Sequence, residues 1–428
     1  MVVNEVNFTL SSVRKSRAAL YAVFLVSVLA FLCPACGRPI ASTPEKEAPR
    51  LPPGEKILVW DMNQPHFPGC RPYEEEVQRV CQEFEKNTGI QVEVAFISRS
   101  EVSGMLKTAG ETSKIPDVLF SGEFPSLTGL ERDLSDLLTP SQYQDVALGA
   151  WTRAGRILGI PSAILWVGTA VREDALDPQP GDAGQPPATA SALSSLTKSL
   201  GVIPSSEPFM EVATRGPSGR YRTPQEIAAF VSWVKANFAK SSSEPCLERF
   251  KRGEVQGIYC VTPYLFKWLR ISSQPGDGAQ PVLLPLIFES GDMRFTFTVP
   301  GYVVLSQSES KLRASVELGK LLAENYGRWA ARALGLVPAK IEDLPVFTVE
   351  SGFTAMERAE LLAILNQTAT SVSPEGRSEF PGEVLDPLSR YQQFENLSEV
   401  FAGYFSTGLT EDDLVREITS ALQGNTSP

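Results

Sequence analysis

Between Ile57 and Phe120 the spacing of apolar residues switches from strand to helix and back, and no other feature of the chain restricts its fold as tightly. Ile57-Leu58-Val59-Trp60 is a short apolar run of the kind that forms a buried strand. Tyr73, Val77, Val80, Cys81 and Phe84 then recur at helical spacing among Glu74, Glu75, Arg79 and Glu83, and Gly89 ends the segment. Ile90, Val92, Val94 and Phe96 alternate with Gln91, Glu93 and Ala95, which predicts a second strand. Val118-Leu119-Phe120 predicts a third after a further helical stretch. Strand, helix and strand joined this closely make a parallel crossover unit, so the chain begins as an open α/β sheet. Such sheets take their ligands outside the carboxyl ends of the strands. That brings forward Asp61, Asn63 and Gln64 after the first strand, and Ser121 and Glu123 after the third.

Farther along, residues 177–187 read as a proline-rich loop, and a well-marked helix follows. Thr223 is its cap, Pro224 fits its first turn and Glu226 completes a capping box, with Ile227, Phe230, Val231, Val234 and Phe238 along one face. A long helix is predicted over about 311–334. The last helix covers 411–422, capped by Thr410, with Leu414, Ile418 and Leu422 on one side. No internal repeat is visible. The full 428 residues leave room for two α/β lobes with separate cores.

At the N-terminus Arg14, Lys15 and Arg17 precede an uncharged, mostly apolar run over 18–32, too short for a bilayer span and suited to a secretory signal. Ala35-Cys36-Gly37 resembles a bacterial lipobox, which implies cleavage before Cys36 and lipidation of its thiol. An uncleaved anchor and a plain signal peptide are the alternatives; in each case the folded part is expected outside the cytoplasm. Residues 1–35 are thus read as a lipoprotein signal peptide. The Pro-, Glu- and Ser-rich residues 36–54 are read as a flexible tether that cannot build a core. The formal charge is -11, and such a surface repels phosphate backbones, which sets nucleic-acid binding aside.

Beyond the signal the cysteines are Cys70, Cys81, Cys246 and Cys260. An even set outside the cytoplasm suggests disulfides, and three pairings are possible. Cys70–Cys81 and Cys246–Cys260 are favoured because each pair lies close in sequence. His66 is the only histidine, so multi-histidine zinc sites are excluded, and neither a G-x-S-x-G elbow nor a G-x-x-x-x-G-K-[ST] phosphate loop occurs. No metal and no cofactor are expected.

Five further stretches, taken in order, resemble one family. Ile115-Pro116-Asp117-Val118-Leu119-Phe120 is similar to the "PDVIF" strand of the bacterial extracellular solute-binding proteins that serve the sugar importers of the ABC class. Gly155-Arg156-Ile157-Leu158-Gly159-Ile160-Pro161 resembles that family's "GKxYGIP", continuing through Ala170 to Asp174. Phe250-Lys251-Arg252-Gly253-Glu254 through Ile258 resembles "FxxGKAAM", and Gly335-Leu336-Val337-Pro338-Ala339-Lys340 the family's return to the second lobe. The tail over 398–422 is similar to the closing helices. The resemblance implies a two-lobed periplasmic-binding-protein-like type II fold, joined by crossovers near 163–166, 299–304 and 338–342 that act as a hinge. The N-terminal lobe would combine 55–164 with 301–339, and the C-terminal lobe 165–300 with 340–428.

It also implies the function: an extracytoplasmic monomer, anchored by Cys36, that captures a small solute such as a sugar and delivers it to the ABC permease subunits without chemistry. An exported glycoside hydrolase, or a lipoprotein of the same fold acting as sensor or scaffold, are the alternatives. A sugar needs directional hydrogen bonds and an aromatic face. Thr262-Pro263-Tyr264 stands where the family often has "GPW", which makes Tyr264 the leading ligand contact. Tyr302, beside Gly301 at the second crossover, is another candidate. Trp166 reads equally as a contact and as a buried hinge residue, Trp268 as core, and Glu207-Pro208-Phe209 as an exposed turn that loosely echoes a ligand loop. Ser121 replaces the stacking aromatic of maltose-type relatives, which argues against a maltodextrin.

Overall fold

The computed structural model describes residues 51–52, 54–64, 67, 70–98, 115–121, 130–176, 199–203, 206–214, 222–238, 246–272, 280–291, 293–306, 308–350, 353, 361–362, 387–406 and 409–422. Cys36, His66, Glu123 and the loop 177–187 lie outside them. Residues 49–428 form one compact unit, and among the described residues no helix is long and apolar enough to cross a membrane.

The chain begins with β1 (Lys56–Met62), α1 (Tyr73–Thr88), β2 (Gln91–Ile97) and β3 (Val118–Ser121), the alternation that the apolar spacing predicts. A short α2 (Asp145–Ala150) and the hairpin of β4 (Thr152–Arg153) and β5 (Arg156–Ile157) lead to β6 (Ile160–Pro161) and the ten-residue β7 (Ala163–Arg172). Then come β8 (Leu200–Val202), α3 (Glu207–Thr214), α4 (Pro224–Asn237), α5 (Cys246–Lys251), β9 (Gly257–Val261) and α6 (Pro263–Ser272). Four short strands follow: β10 (Pro281–Leu284), β11 (Leu286–Ile287), β12 (Met293–Arg294) and β13 (Thr296–Thr298). The chain continues with β14 (Gly301–Val304), α7 (Glu309–Leu334), β15 (Val337–Pro338), α8 (Leu344–Glu350), α9 (Pro387–Ser406) and α10 (Glu411–Leu422).

Two sheets organise these elements. In the first, ordered β2-β1-β3-β14-β6, the three leading strands run parallel. Val59 is level with Val94 on one side and Val118 on the other. β14 returns antiparallel against β3 and carries β6 at the edge. The aspartate of the Pro116-Asp117 motif helps fix the pairing of β3 with β1, because its buried carboxylate accepts the Leu58 N–H at 3.0 Å. In the second sheet, ordered β10-β7-β9-β8, β7 is buried along almost its whole length and also pairs with β13 and β15.

The apolar core divides at the second sheet. One cluster runs from the first sheet under α1 and α7 onto one face of the second, through Ile164, Trp166, Ala170 and Ile258. The other face of that sheet, with Val167, Val171 and Tyr259, packs on α3, α4, α9 and α10 through Phe209, Phe230, Phe401 and Ile418. Burying each of these phenylalanines contributes about 2 kcal/mol. α4 starts as its sequence dictates: the Thr223 hydroxyl accepts the Glu226 N–H at 3.2 Å, and the Glu226 carboxylate accepts the Thr223 N–H at 2.7 Å.

The chain passes between the sheets around Ser162. The Ser162 N–H donates to the Pro300 carbonyl at 2.9 Å, and the Ser162 carbonyl accepts from the Ala339 N–H at 3.0 Å. One residue therefore ties the segment joining β6 to β7 to the segments flanking β14 and β15.

The disulfide expectation is corrected here, since Cys70, Cys81, Cys246 and Cys260 are all free. Cys246 belongs to the first core cluster and Cys260 to the second, on the opposite face of the sheet. Cys81 lies on the inward face of α1, about 12 Å along the helix axis from Tyr73, whereas Cys70 precedes that helix. A disulfide needs Cα atoms within about 7 Å. Burial pushes the Cys81 thiol up to about 12 and the Cys246 thiol to about 11, so these groups are protonated and inert at neutral pH.

Candidate functional site

The carboxyl edge of the first sheet is built by register. Val59 and Trp60 of β1 pair with Val118 and Leu119 of β3; continuing that register puts Met62 level with Ser121, which in turn pairs with Gly301. Only glycine fits at 301, because a Cβ there would stand 2.5 Å from the Ile160 carbonyl and 2.8 Å from the Trp151 ring. Beyond the edge Asn63 is exposed and Gln64 half-buried, the latter's N–H donating to Glu74 Oε1 at 3.1 Å, and Ser121 is half-buried. These three present amide and hydroxyl groups at one end of the sheet.

Asp61 and Tyr302 take a different place from the one expected of ligand contacts. Asp61 is 1% exposed and Tyr302 has no exposed surface. The Tyr302 hydroxyl donates to Asp61 Oδ2 at 2.7 Å, the Met62 N–H donates to Asp61 Oδ1 at 2.7 Å, and the Tyr73 hydroxyl lies 3.3 Å from both carboxylate oxygens. Burial pushes the Asp61 carboxyl up to about 7; the bonds from Tyr302, Met62 and Tyr73 oppose that rise, and the nearby Glu74 charge adds to it. Burial and the Asp61 charge together raise both phenols well above the usual tyrosine range. Aromatic rings seal the group: Tyr73 packs on Trp329 at 4.9 Å and edge-on to Tyr326 at 5.4 Å, and Phe120 meets Tyr302 at 5.1 Å. A strand-end carboxylate reads as a solvent-facing group from sequence; here the phenol twelve residues on and the β14 phenol enclose it. Tyr73 was legible only as a core residue of α1.

Tyr264 stands on the first turn of α6, where the Thr262 hydroxyl accepts the Leu265 N–H at 3.3 Å. It is 42% exposed, and its ring meets Phe67 edge-to-face at 4.8 Å, with Phe67 in turn 5.8 Å from Trp329. Thus the structure brings Tyr264 against the segment that follows β1. Just before α6, Cys260 has a φ of 62° and the β7–β9 register shifts at Gly168/Thr169. A bulge of this kind re-aims the chain that follows it, and no sequence signal marks it.

Trp166 has no exposed surface and packs against the rings of Phe266, Phe295 and Phe353, so of its two readings the structure gives it the packing one. Trp268 is half-buried, with the Lys251 ammonium 4.4 Å from its ring centre. The expected turn at Glu207-Pro208-Phe209 is instead the start of α3, and Phe209 is fully buried in the second core cluster.

Three carboxylates, those of Glu324, Glu342 and Asp343, come close enough to share an ion. They already hold two cations: Lys340 pairs with Glu324 at 2.8 Å and with Glu342, and Arg328 pairs with Asp343 at 2.6 Å and with Glu324. Beside them a cavity of about 30 Å³, lined by Ser162, Lys320, Glu324 and Lys340, has room for a water molecule rather than a sugar. The groups at the sheet edge are hydrogen-bonding, and the aromatic Tyr264 approaches the segment after β1 through Phe67.

No protein-family model and no curated protein matches the sequence. Solved structures do match the fold. The sugar-binding protein MalE from the phytopathogen Xanthomonas citri aligns with a TM-score of 0.58 at 16% identity, over 87% of this chain and 97% of that one. A cyclo/maltodextrin-binding protein complexed with maltotetraose gives 0.57 at 17% identity, over 87% and 97%. Maltose-bound MalE3 of T. maritima gives 0.56 at 15%, over 86% and 99%. Identities this low establish a shared fold: the chain has the α/β architecture of two-lobed sugar-binding proteins.

Proposed function

We propose that the protein is the extracytoplasmic substrate-binding lipoprotein of an ABC importer. It captures a small neutral solute, a carbohydrate in the first instance, and passes it unchanged to permease subunits in the membrane. The observation that carries this reading is the fold likeness, which takes in nearly the whole of each neighbour, all three being sugar-binding or sugar-bound proteins by their descriptions. The sheet edge supports it with Asn63, Gln64 and Ser121 as hydrogen-bonding groups and Tyr264 as an exposed aromatic face. Glu123 belongs to the proposed set by its position after β3. The lobe division at 55–164 with 301–339 against 165–300 with 340–428, and export with lipidation of Cys36, are parts of the same proposal. So is the absence of catalysis: Asp61, the carboxyl held near neutrality, is enclosed by tyrosines and reaches no solvent.

The test is a thermal-shift screen against mono- and oligosaccharides and polyols, because a ligand at a hundred times its Kd stabilises by about 2.7 kcal/mol. A shift with one sugar class, reduced by Tyr264→Ala, is the expected result. Release of reducing sugar would point to a hydrolase. A second reading, a sensor or scaffold of the same fold, is favoured by one observation: Phe67 already packs against the Tyr264 ring at 4.8 Å. Absence of any shift across the screen would select it.

A further inference from the structure

Three oxygen-bearing side chains meet where β1, α1 and β14 come together. The Tyr302 hydroxyl oxygen is 2.7 Å from Asp61 Oδ2 and 2.8 Å from the Tyr73 hydroxyl oxygen. The Tyr73 hydroxyl oxygen is 3.3 Å from both oxygens of Asp61. That makes a closed triangle of contacts between three side chains. A phenol donates one proton and accepts in return, and an ionised carboxylate only accepts. With Asp61 ionised, two hydroxyl protons must serve three contacts. Tyr302 donates to Asp61, and the single Tyr73 proton can serve either Asp61 at 3.3 Å or Tyr302 at 2.8 Å; when it fills the shorter contact, the one between Asp61 and Tyr73 has no proton. A proton on Asp61 supplies it. Each side chain then donates once and accepts once around the ring, while the Met62 N–H continues to serve Oδ1.

The surroundings favour the same state. The titratable and charged groups facing Asp61 are Tyr73, Glu74 and Cys81 from α1, Tyr302 from β14 and Tyr326 from α7. None of them carries positive charge, Glu74 repels the anion, and burial penalises it further.

We propose that Asp61, Tyr73 and Tyr302 form a proton-binding site beneath the sheet edge, in which Asp61 is held as the neutral acid and one proton closes a hydrogen-bonded ring across β1, α1 and β14. The site is a property of the fold and stands apart from the identity of any ligand. The folded carboxyl titrates near 7 against 3.8 for the ordinary group. A folded value above the unfolded one means that the contribution is complete below about pH 4 and is lost as pH rises through 7. Over that interval the folded-to-unfolded ratio falls by up to about a thousandfold on this account.

The test uses the full chain. Infrared difference spectra between pH 5 and pH 9 should show a protonated carboxyl stretch that persists at pH 6 and is missing in Asp61→Asn. Urea unfolding should show wild-type stability falling between pH 5 and 8 relative to the variant. Tyr302→Phe keeps Asp61 but removes the 2.7 Å hydroxyl donor to its anion, so it should move the infrared midpoint upward by about one pH unit; this variant carries the test if Asp61→Asn does not fold. A carboxyl that is fully ionised at pH 6, a wild-type pH profile parallel to that of Asp61→Asn, or an unmoved midpoint in Tyr302→Phe would each overturn the proposal.

Discussion

Two glycines on one helix separate the cost of a backbone collision from everything else that alanine brings. Gly319 and Gly327 both lie inside α7 and are both buried. In either place alanine gains about 1 kcal/mol of helix propensity. A Cβ at 319 would first meet Ile160 Cδ1 at 2.8 Å, the end of a side chain that can turn away, and then nothing closer than 3.9 Å. A Cβ at 327 would stand 2.5 Å from the Ser162 carbonyl oxygen. That oxygen is held by the Ala339 N–H at 3.0 Å, so about 1 Å of displacement must come from the backbone of the inter-sheet segments. Overpacking of this kind costs about 1–3 kcal/mol, and stretching the bond to Ala339 costs about 1 more. Gly319→Ala should therefore be neutral or slightly stabilising, and Gly327→Ala destabilising by about 1–3 kcal/mol. The difference of about 2 kcal/mol is roughly thirtyfold in the unfolding constant. Urea unfolding followed by tryptophan fluorescence measures both, with equal m-values required for the comparison. Equal midpoints for the two variants would refute the claim that the Ser162 carbonyl sets the limit at 327.

Further expectations follow from local features. Thr223→Ala removes half of the capping box of α4 and should lower stability by about 1 kcal/mol in the same unfolding assay. Arg328→Met leaves the 2%-exposed Asp343 without its cation and should cost about 2 kcal/mol; Arg416→Met, whose partner Asp413 is solvated, should leave the unfolding midpoint almost unchanged. If both variants lose the same amount, burial does not distinguish the pairs. In the folded protein without reductant, Cys81, Cys246 and Cys260 should resist alkylation, and peptide mass mapping after denaturation should find them alkylated along with Cys70. A peptide pair lighter by two hydrogens would show a disulfide and overturn their assignment as free thiols.

The elements that could be read from the sequence are those whose signal is local. β1, α1, β2 and β3 announce themselves through a change of period, and α4 and α10 through caps that the structure reproduces at Thr223 and Thr410. The site was legible only as an edge. Asn63, Gln64 and Ser121 stand at that edge as strand order implies, but Asp61, next to them in sequence, is enclosed by partners whose approach depends on the β3–β14 register. The cysteines failed for a related reason: pairing by proximity in sequence ignores that Cys246 and Cys260 point to opposite faces of one sheet. Nothing in the residues around Cys260 signals its left-handed backbone. The same local reading mistook the start of α3 for a turn, because Pro208 is as compatible with a first helical turn as with a loop.

The junction at Ser162 has a mechanical consequence. Its amide and carbonyl are each bound to a different passage of the chain, so the three connections cannot swing as separate strings. Any rotation of one sheet against the other must turn about this rivet or else tear two backbone bonds.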